Sequence, residues 1–292
     1  MGKSMPRPSR NNSSRWSHDT FRKQTEPMIV DATLGPSAPE HGWVPAPRYL
    51  LRRAQILREL RTIQPCETLE IGPGAGMLLH ELDARGFHCQ ALEMSKAARE
   101  VADALAREAG RDIRFLEHPE ASWNGHFGLV MAFEVLEHIE HDLDALRTWR
   151  SWLRPGGTLL LSVPCHMSKW NPSDVWAGHF RRYERAPMAE LAATAGFEVE
   201  RILCYGFPLA NLAEKVRARS YAPEVDETVD TTAQGKHENS ARSGIDRRHV
   251  MKWYPLLSSP AGKLAIRCAD LAQRPFLDAE LGNGYLLRAR AR

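Results

Sequence analysis

Between residues 68 and 206 the chain alternates short apolar runs with amphipathic stretches of helical period, and this alternation limits the fold more than any other feature. "TLEI" is a strand ended by glycines, and "GMLLHELDARG" is a helix that stops at Gly86. "HCQALEM" and "KAAREVADALAREAG" repeat the pair, and "DIRFLE" and "GLVMAFEVL" read as further strands. Then come the helix "DLDALRTWRSWL", the strand "TLLLSV", the helix "APMAELAATAG" and the strand "FEVERILCYG". Strands alternating with helices at this spacing predict an α/β fold, a doubly wound, mostly parallel sheet with helices on both faces. Strands that are apolar throughout fit a sheet covered on both sides.

The flanks read differently. Residues 1–40 are rich in Ser, Arg, Asn and Pro without apolar periodicity, which predicts a disordered tail. A helix starts near Pro47, with Tyr49, Leu50, Ile56, Leu57 and Leu60 on one face. Residues 41–206 are expected to form the core. Residues 207–280 form an insertion, helical over 208–220 and 248–275, with a polar mobile loop over 222–247. Residues 281–292 contain "GYLLRARA", a seventh strand able to pair antiparallel with the strand near 197–206. The insertion is then placed as a lid above one end of the sheet.

Composition excludes little. A net charge of +3 is too small and dispersed to argue for nucleic acid. No apolar run approaches the roughly 18 residues of a membrane span, and the N-terminus lacks the apolar stretch of a secretory signal. Cys66, Cys89, Cys165, Cys204 and Cys268 are scattered, odd in number and without a CxxC pair, which favours reduced thiols in a cytoplasm over a disulfide framework or a zinc site.

"TLEIGPGAG" (68–76) places Gly72, Gly74 and Gly76 in the turn between the first parallel strand and its helix. A glycine-rich turn there lets a ligand approach the backbone at the switch-point crevice. An acid about 20 positions later, at the end of the second strand, can bond a ribose, and Glu93 in "ALEM" fits. The spacing G-x-G-x-G departs from the G-x-G-x-x-G of NAD sites, so a nicotinamide-dependent oxidoreductase is disfavoured.

Preceded by Glu70, this stretch resembles motif I of the class I S-adenosylmethionine-dependent methyltransferases. The resemblance runs through about residues 45–206, in "FGLVMAFEVLEHIEHDLDALRTWRSWLRPGGTLLLSVP" and "HFRRYERAPMAELAATAGFEVE", and extends to the terminal "GYLLRARA". It is closest in kind to the methyltransferase type 11/12 group. It implies a Rossmann-like fold with S-adenosylmethionine as cofactor. Gly72, Gly74 and Gly76 would wrap the methionine part of the cofactor with Glu70 supporting the loop. Glu93 would hold both ribose hydroxyls, and Glu134 would lie beside the cofactor. The family's Asp before the fourth strand is Gly128 here, and its adenine-contacting acid falls to Glu117 or Glu120.

The reacting end must align a nucleophile with the methyl group and, for a hydroxyl acceptor, remove a proton. Candidates follow the fourth and fifth strands: His138 and His141 in "EHIEHD", His166 in "PCHMSKW", and His179, Arg181, Arg182 and Tyr183 in "GHFRRYE". Histidine suits base work because its ordinary pKa is about 6.5. His138 and His179 are the expected catalytic residues, with His141 a solvated helix residue. Arg181 and Arg182 suit an anionic group on the acceptor, or pair internally with Asp174 or Glu184. Trp170 and Trp176 wall the acceptor pocket or simply pack.

If "EVLEH" turns helical, Glu134, Glu137 and His138 share one face, and His179 closes a set able to hold a divalent ion. The arrangement is similar to the metal quartet of small-RNA 2′-O-methyltransferases and ubiquinone-pathway O-methyltransferases; without metal, His138 or His179 is the base. The leading expectation is a small-molecule methyltransferase acting on a hydroxyl oxygen. Methylation of an RNA end or of a lipid-linked or cell-envelope glycan is the second reading. A cofactor-binding protein without catalysis is the third.

Overall fold

The computed structural model describes residues 28–228 and 248–292. The expected tail over 1–27 and most of the expected 222–247 loop lie outside the described residues.

The central sheet has seven strands: β3 (Glu67–Ile71), β4 (His88–Leu92), β5 (Arg114–Leu116), β6 (Phe127–Phe133), β7 (Leu153–Pro164), β8 (Phe197–Tyr205) and β9 (Gly284–Ala291). Their spatial order is β5-β4-β3-β6-β7-β9-β8. The five strands from β5 to β7 run parallel. β9 is antiparallel to both β7 and β8 and lies between them. The sheet reverses its strand order between β3 and β6, which opens a crevice at their carboxyl ends. Every residue of β6 is buried, as a parallel strand covered on both faces requires.

The covering helices are α1 (Pro47–Leu60), α2 (Met77–Asp83), α3 (Lys96–Glu108), α4 (Asp142–Trp152), α5 (Pro172–Ala177) and α6 (Arg185–Thr194). One apolar layer joins β3, β6 and β7 to Leu146, Trp149 and Trp152 of α4 and Met188 and Ala192 of α6. The opposite layer joins Ile56 and Leu60 of α1 to Leu78, Leu79 and Leu82 of α2. Each fully buried side chain of this size contributes roughly 1.5–3 kcal/mol.

The N-terminal boundary differs from the tail expected over 1–40. Residues 28–40 include an antiparallel hairpin, β1 (Ile29–Asp31) and β2 (Gly35–Ser37), followed by a 3-10 turn at Pro39–His41. Its apolar residues are too few to show a period, yet Met28, Leu34 and Ala38 are buried against α1, α2 and α3. Asp31 Oδ1 accepts the N–H groups of Thr33 and Leu34 and closes the turn.

The insertion also differs. α7 (Leu209–Thr228) carries the helix past 220 into the segment expected as a loop. α8 (Arg248–Met251), α9 (Tyr254–Ser258) and α10 (Pro260–Gln273) follow. α10 packs behind α1, where Asp270 pairs with Arg58 and the Gln273 amide donates to Leu51 O. Gln273 Oε1 in turn accepts the Gly206 N–H. In the described part of the insertion α10 braces α1 and α7 packs chiefly on α5, and none of its residues lines the crevice as a lid would.

Candidate active site

A cavity of about 580 Å³ opens at the switch point between β3 and β6. Its walls come from the glycine turn, the end of β4, the segment after β6, and α1.

The glycine turn is shaped by two separate needs. Gly72, Gly74 and Gly76 all have φ between 59 and 72°. A Cβ on Gly72 would stand 2.7 Å from Val135, and one on Gly76 2.8 Å from the Phe115 ring. Gly72 and Gly74 line the cavity, whereas Gly76 starts α2 and packs on β5, outside the lining. Glu93 staples this turn: Oε2 accepts the Gly74 N–H at 3.0 Å and Oε1 accepts the Ser95 N–H at 2.9 Å. Glu93 also lines the cavity, and each of its oxygens has capacity for a further hydrogen bond. Glu70 lines the cavity from β3, and its buried Oε2 makes no hydrogen bond. Burial, reinforced by Glu93 and opposed by Arg52, pushes the Glu70 carboxyl up to about 8. Glu117 and Glu120, the two adenine candidates, are held instead by Arg99 and Arg114.

Glu134 ends β6 in the left-handed region, with φ 60°. That turn aims its carboxylate at α1, where Arg48 reaches it at 2.7 Å and Arg52 at 3.2 Å. Ser162 and Tyr205 hydroxyls each donate to its Oε1 at 3.0 Å. Burial raises this carboxyl, but the two guanidiniums and the hydroxyls outweigh it and hold it down at about 2. Glu134 thus lines the cavity as an anchor for two arginines, its carboxylate engaged by protein groups on the α1 side. Arg48 and Arg52, one helical turn apart, and Tyr49 between them are cavity residues that the sequence reading missed. Their signal was an i, i+4 basic pair at the start of a helix, which is common on solvated faces as well.

"EVLEH" forms only a 3-10 turn, Leu136–His138, so Glu134 does not share a face with the other two. Glu137, His138 and His179 do come together, with one potential ligand atom of each within 4.8 Å of the others. The His138 and His179 rings meet edge to face, centroids 4.7 Å apart. Glu137 is fully buried, neither carboxyl oxygen is hydrogen-bonded, and burial together with Glu134 pushes its carboxyl well above the usual range. His179 Nδ1 lies 2.9 Å from Asp174 Oδ1, and its Nε2 faces Glu137 Oε1 at 3.9 Å. Asp174 is placed by the capping box of α5, where it accepts the Asn171 N–H. Burial pushes the Asp174 carboxyl up, but hydrogen bonds from His179 and Arg182 outweigh it and keep it well below the usual range.

The remaining candidates are structural. Arg182 forks onto Asp174 and pairs with Glu214, and Arg181 pairs with Asp142, so neither faces an acceptor. Tyr183 donates to Asp142 at 3.0 Å. Trp176 is buried against Tyr221 of α7, and neither it nor Trp170 lines the cavity. His141 precedes α4, exposed. His166 sits outside the cavity, beside Cys165 and Cys204.

Comparison with known proteins is consistent with this arrangement. The family described as "Methyltransferase domain" matches residues 45–202. A ubiquinone biosynthesis O-methyltransferase of Rickettsia canadensis is 28% identical over 117 residues, 39% of this chain and 50% of that protein. One from Caulobacter vibrioides is 32% identical over 99 residues, 32% of this chain and 39% of that protein. The chain thus spans half or less of these curated relatives. Among solved structures, the YcgJ protein of Bacillus subtilis superposes with a TM-score of 0.50 at 13% identity, over 82% of this chain and 97% of that one. A Haloferax volcanii protein solved with the Trm112 methyltransferase activator gives 0.50 at 15%, over 84% and 90%. Among the described residues no helix is long and apolar enough to cross a membrane. With a family match over more than half of its length, on a sheet of this order and direction, the chain belongs to the class I S-adenosylmethionine-dependent methyltransferases.

Proposed function

We propose that this protein transfers a methyl group from S-adenosylmethionine to a hydroxyl oxygen of a small-molecule acceptor. The observation that carries the reading is the continuity of one cavity: the glycine turn with Glu93 forms one wall, and Glu137, His138 and His179 form another. Bound S-adenosylmethionine supplies an electrophilic methyl on a sulfonium. The chain's part is to hold the cofactor, align the acceptor and take a proton.

Glu93 receives the ribose hydroxyls while its existing bonds fix the turn that borders the cofactor. At the other wall, Asp174 accepts the His179 Nδ1–H and so selects the tautomer whose lone pair is on Nε2. The acceptor hydroxyl gives its proton to Nε2 as its oxygen takes the methyl. Asp174, ionised at neutral pH, stabilises the imidazolium that results. His138, edge to face with His179, limits the ring's rotation.

The same three residues also fit a divalent ion. A buried carboxyl without a hydrogen bond beside two imidazoles is a donor set for zinc, manganese or iron. Such an ion, held by Glu137, His138 and His179, would lower the pKa of the acceptor hydroxyl. The names of the curated relatives support oxygen as the methylated atom and a small molecule as the acceptor.

The test starts with calorimetric titration of S-adenosylhomocysteine and, separately, NADH. Binding of the first alone is expected. Radiolabelled S-adenosylmethionine is then incubated with a panel of phenolic and catecholic acceptors, before and after exhaustive chelation with add-back of magnesium, manganese and zinc. Label in an alkali-stable ether of one acceptor class is the expected result. Label on nitrogen or on RNA alone would overturn the oxygen assignment.

A further inference from the structure

A second cluster of chemically capable side chains lies outside the cofactor crevice, at the carboxyl ends of β7 and β8. Cys165 follows β7, Cys204 is in β8, and His166 is adjacent to Cys165; β9 runs between the two strands. None of the three lines the active-site cavity. One potential ligand atom of each lies within 4.8 Å of the other two.

Several features distinguish this cluster from a chance meeting of core thiols. The two sulfurs are 4.0 Å apart. Two thiolates bound at about 2.3 Å to a tetrahedral zinc are about 3.8 Å apart, whereas a disulfide requires about 2.05 Å. His166 has its Nδ1 at 3.1 Å from Glu184, which fixes that nitrogen as the N–H and leaves the lone pair on Nε2. Nε2 is buried beside the Cys204 thiol and stands 3.8 Å from the Glu280 carboxylate. His166 also adopts φ 64°, a costly conformation for a non-glycine residue, held by its N–H to Tyr183 O at 2.8 Å. The Gly282 N–H donates to Cys204 Sγ at 3.2 Å, a contact that favours a thiolate.

We infer that Cys165, His166 and Cys204 form a structural zinc site, with its fourth position facing Glu280. Charge selects a divalent ion: two thiolates and a neutral imidazole cancel Zn²⁺, and the Glu280 carboxylate at the fourth position is already balanced by Arg185, whereas a monovalent copper ion would leave an unpaired negative charge. Each Zn–S bond forms as a thiol proton is released to solvent. The Cys165 S–H that now donates to Gly282 O at 3.4 Å is one of them. The bound ion ties the ends of β7 and β8 together across β9 and adds a crosslink that neither strand pairing supplies.

The full-length, reduced protein is stripped with a chelator and titrated with Co²⁺ and then Zn²⁺. The expected result is a thiolate-to-cobalt charge-transfer band that saturates at one equivalent, is bleached by zinc, and raises Tm. The band is absent from Cys204→Ser and His166→Ala but retained in His179→Ala, which separates this site from the three residues in the cavity. A charge-transfer band that survives in Cys204→Ser, or no band in the reduced wild-type protein, overturns the inference. If the serine variant fails to fold, His166→Ala and Cys268→Ser decide: loss of the band in the first and its retention in the second support the site, and the reverse overturns it.

Discussion

Replacing Glu93 by alanine tests the cofactor wall and yields two readouts of different origin. In the free protein the substitution removes two charge-assisted bonds, to the Gly74 and Ser95 N–H groups at 3.0 and 2.9 Å. Bonds to charged groups are worth about 1.5–3 kcal/mol each. Removing a carboxylate that is only 9% exposed recovers part of that, since burial itself raises its pKa. A net loss of about 2 kcal/mol lowers Tm by about 3 °C for a chain of this size. Binding loses a further pair of bonds to the ribose hydroxyls. If only one of these is recovered by water, at least a tenfold rise in Kd for S-adenosylhomocysteine follows, because about 1.4 kcal/mol is a factor of ten. Calorimetry measures the Kd and differential scanning measures Tm on the same sample. A lowered Tm with an unchanged Kd would refute the ribose assignment and leave Glu93 as a staple for the glycine turn alone.

Three other outcomes are expected. Glu134→Gln leaves Arg48 and Arg52 without their shared anion, and breaking a buried pair of this kind costs about 3–5 kcal/mol. Thermal unfolding should show a drop of roughly 6 °C or more, and because the folded carboxyl titrates at about 2, the Glu134 contribution is present above the ordinary value of 4.5 and lost as pH falls toward 2. Glu70 has the opposite sign: its folded carboxyl titrates at about 8, so its stabilising effect is complete below 4.5 and is lost as pH rises to 8. Urea melts of Glu70→Gln should therefore show a flatter dependence over that window and greater stability than wild type at pH 8; identical pH profiles would contradict the assignment. His179→Ala should lower kcat by roughly a hundredfold or more while leaving the Kd for S-adenosylhomocysteine unchanged; equal loss in both would make the ring a cofactor contact instead of the base.

The sequence reading was strongest where a local rule determines the structure. Strand-helix alternation placed the core strands, and the roughly 20-residue interval from the glycine turn found Glu93 at the end of β4. It was weaker wherever a role depends on what another element brings near. Arg48 and Arg52 look like ordinary surface residues of a helix until β6 turns Glu134 toward them. The carboxylates of "EVLEH" shared a face only if the segment was α-helical; the φ of 60° at Glu134 separates it from Glu137. Asp174 reads in the sequence only as a partner for arginine, because nothing in its local spacing says that α5 carries it to His179. The hairpin at 29–37 escaped because its buried residues are isolated among polar ones.

The position of β9 bears on how the chain is made. β7 and β8 never touch as neighbours; each pairs with a strand that lies beyond the whole of 206–283. At a synthesis rate of about 5–20 residues per second, roughly 4–16 s separate the emergence of β8 from that of its partner. During that interval β7 presents an open edge, and β8 has no ladder to join. The helices Leu209–Thr228 and Pro260–Gln273, which pack on α5 and α1 in the finished molecule, reach the growing sheet before it can close, so the nascent chain must keep a strand-wide gap open between two edges that would otherwise be free to pair wrongly.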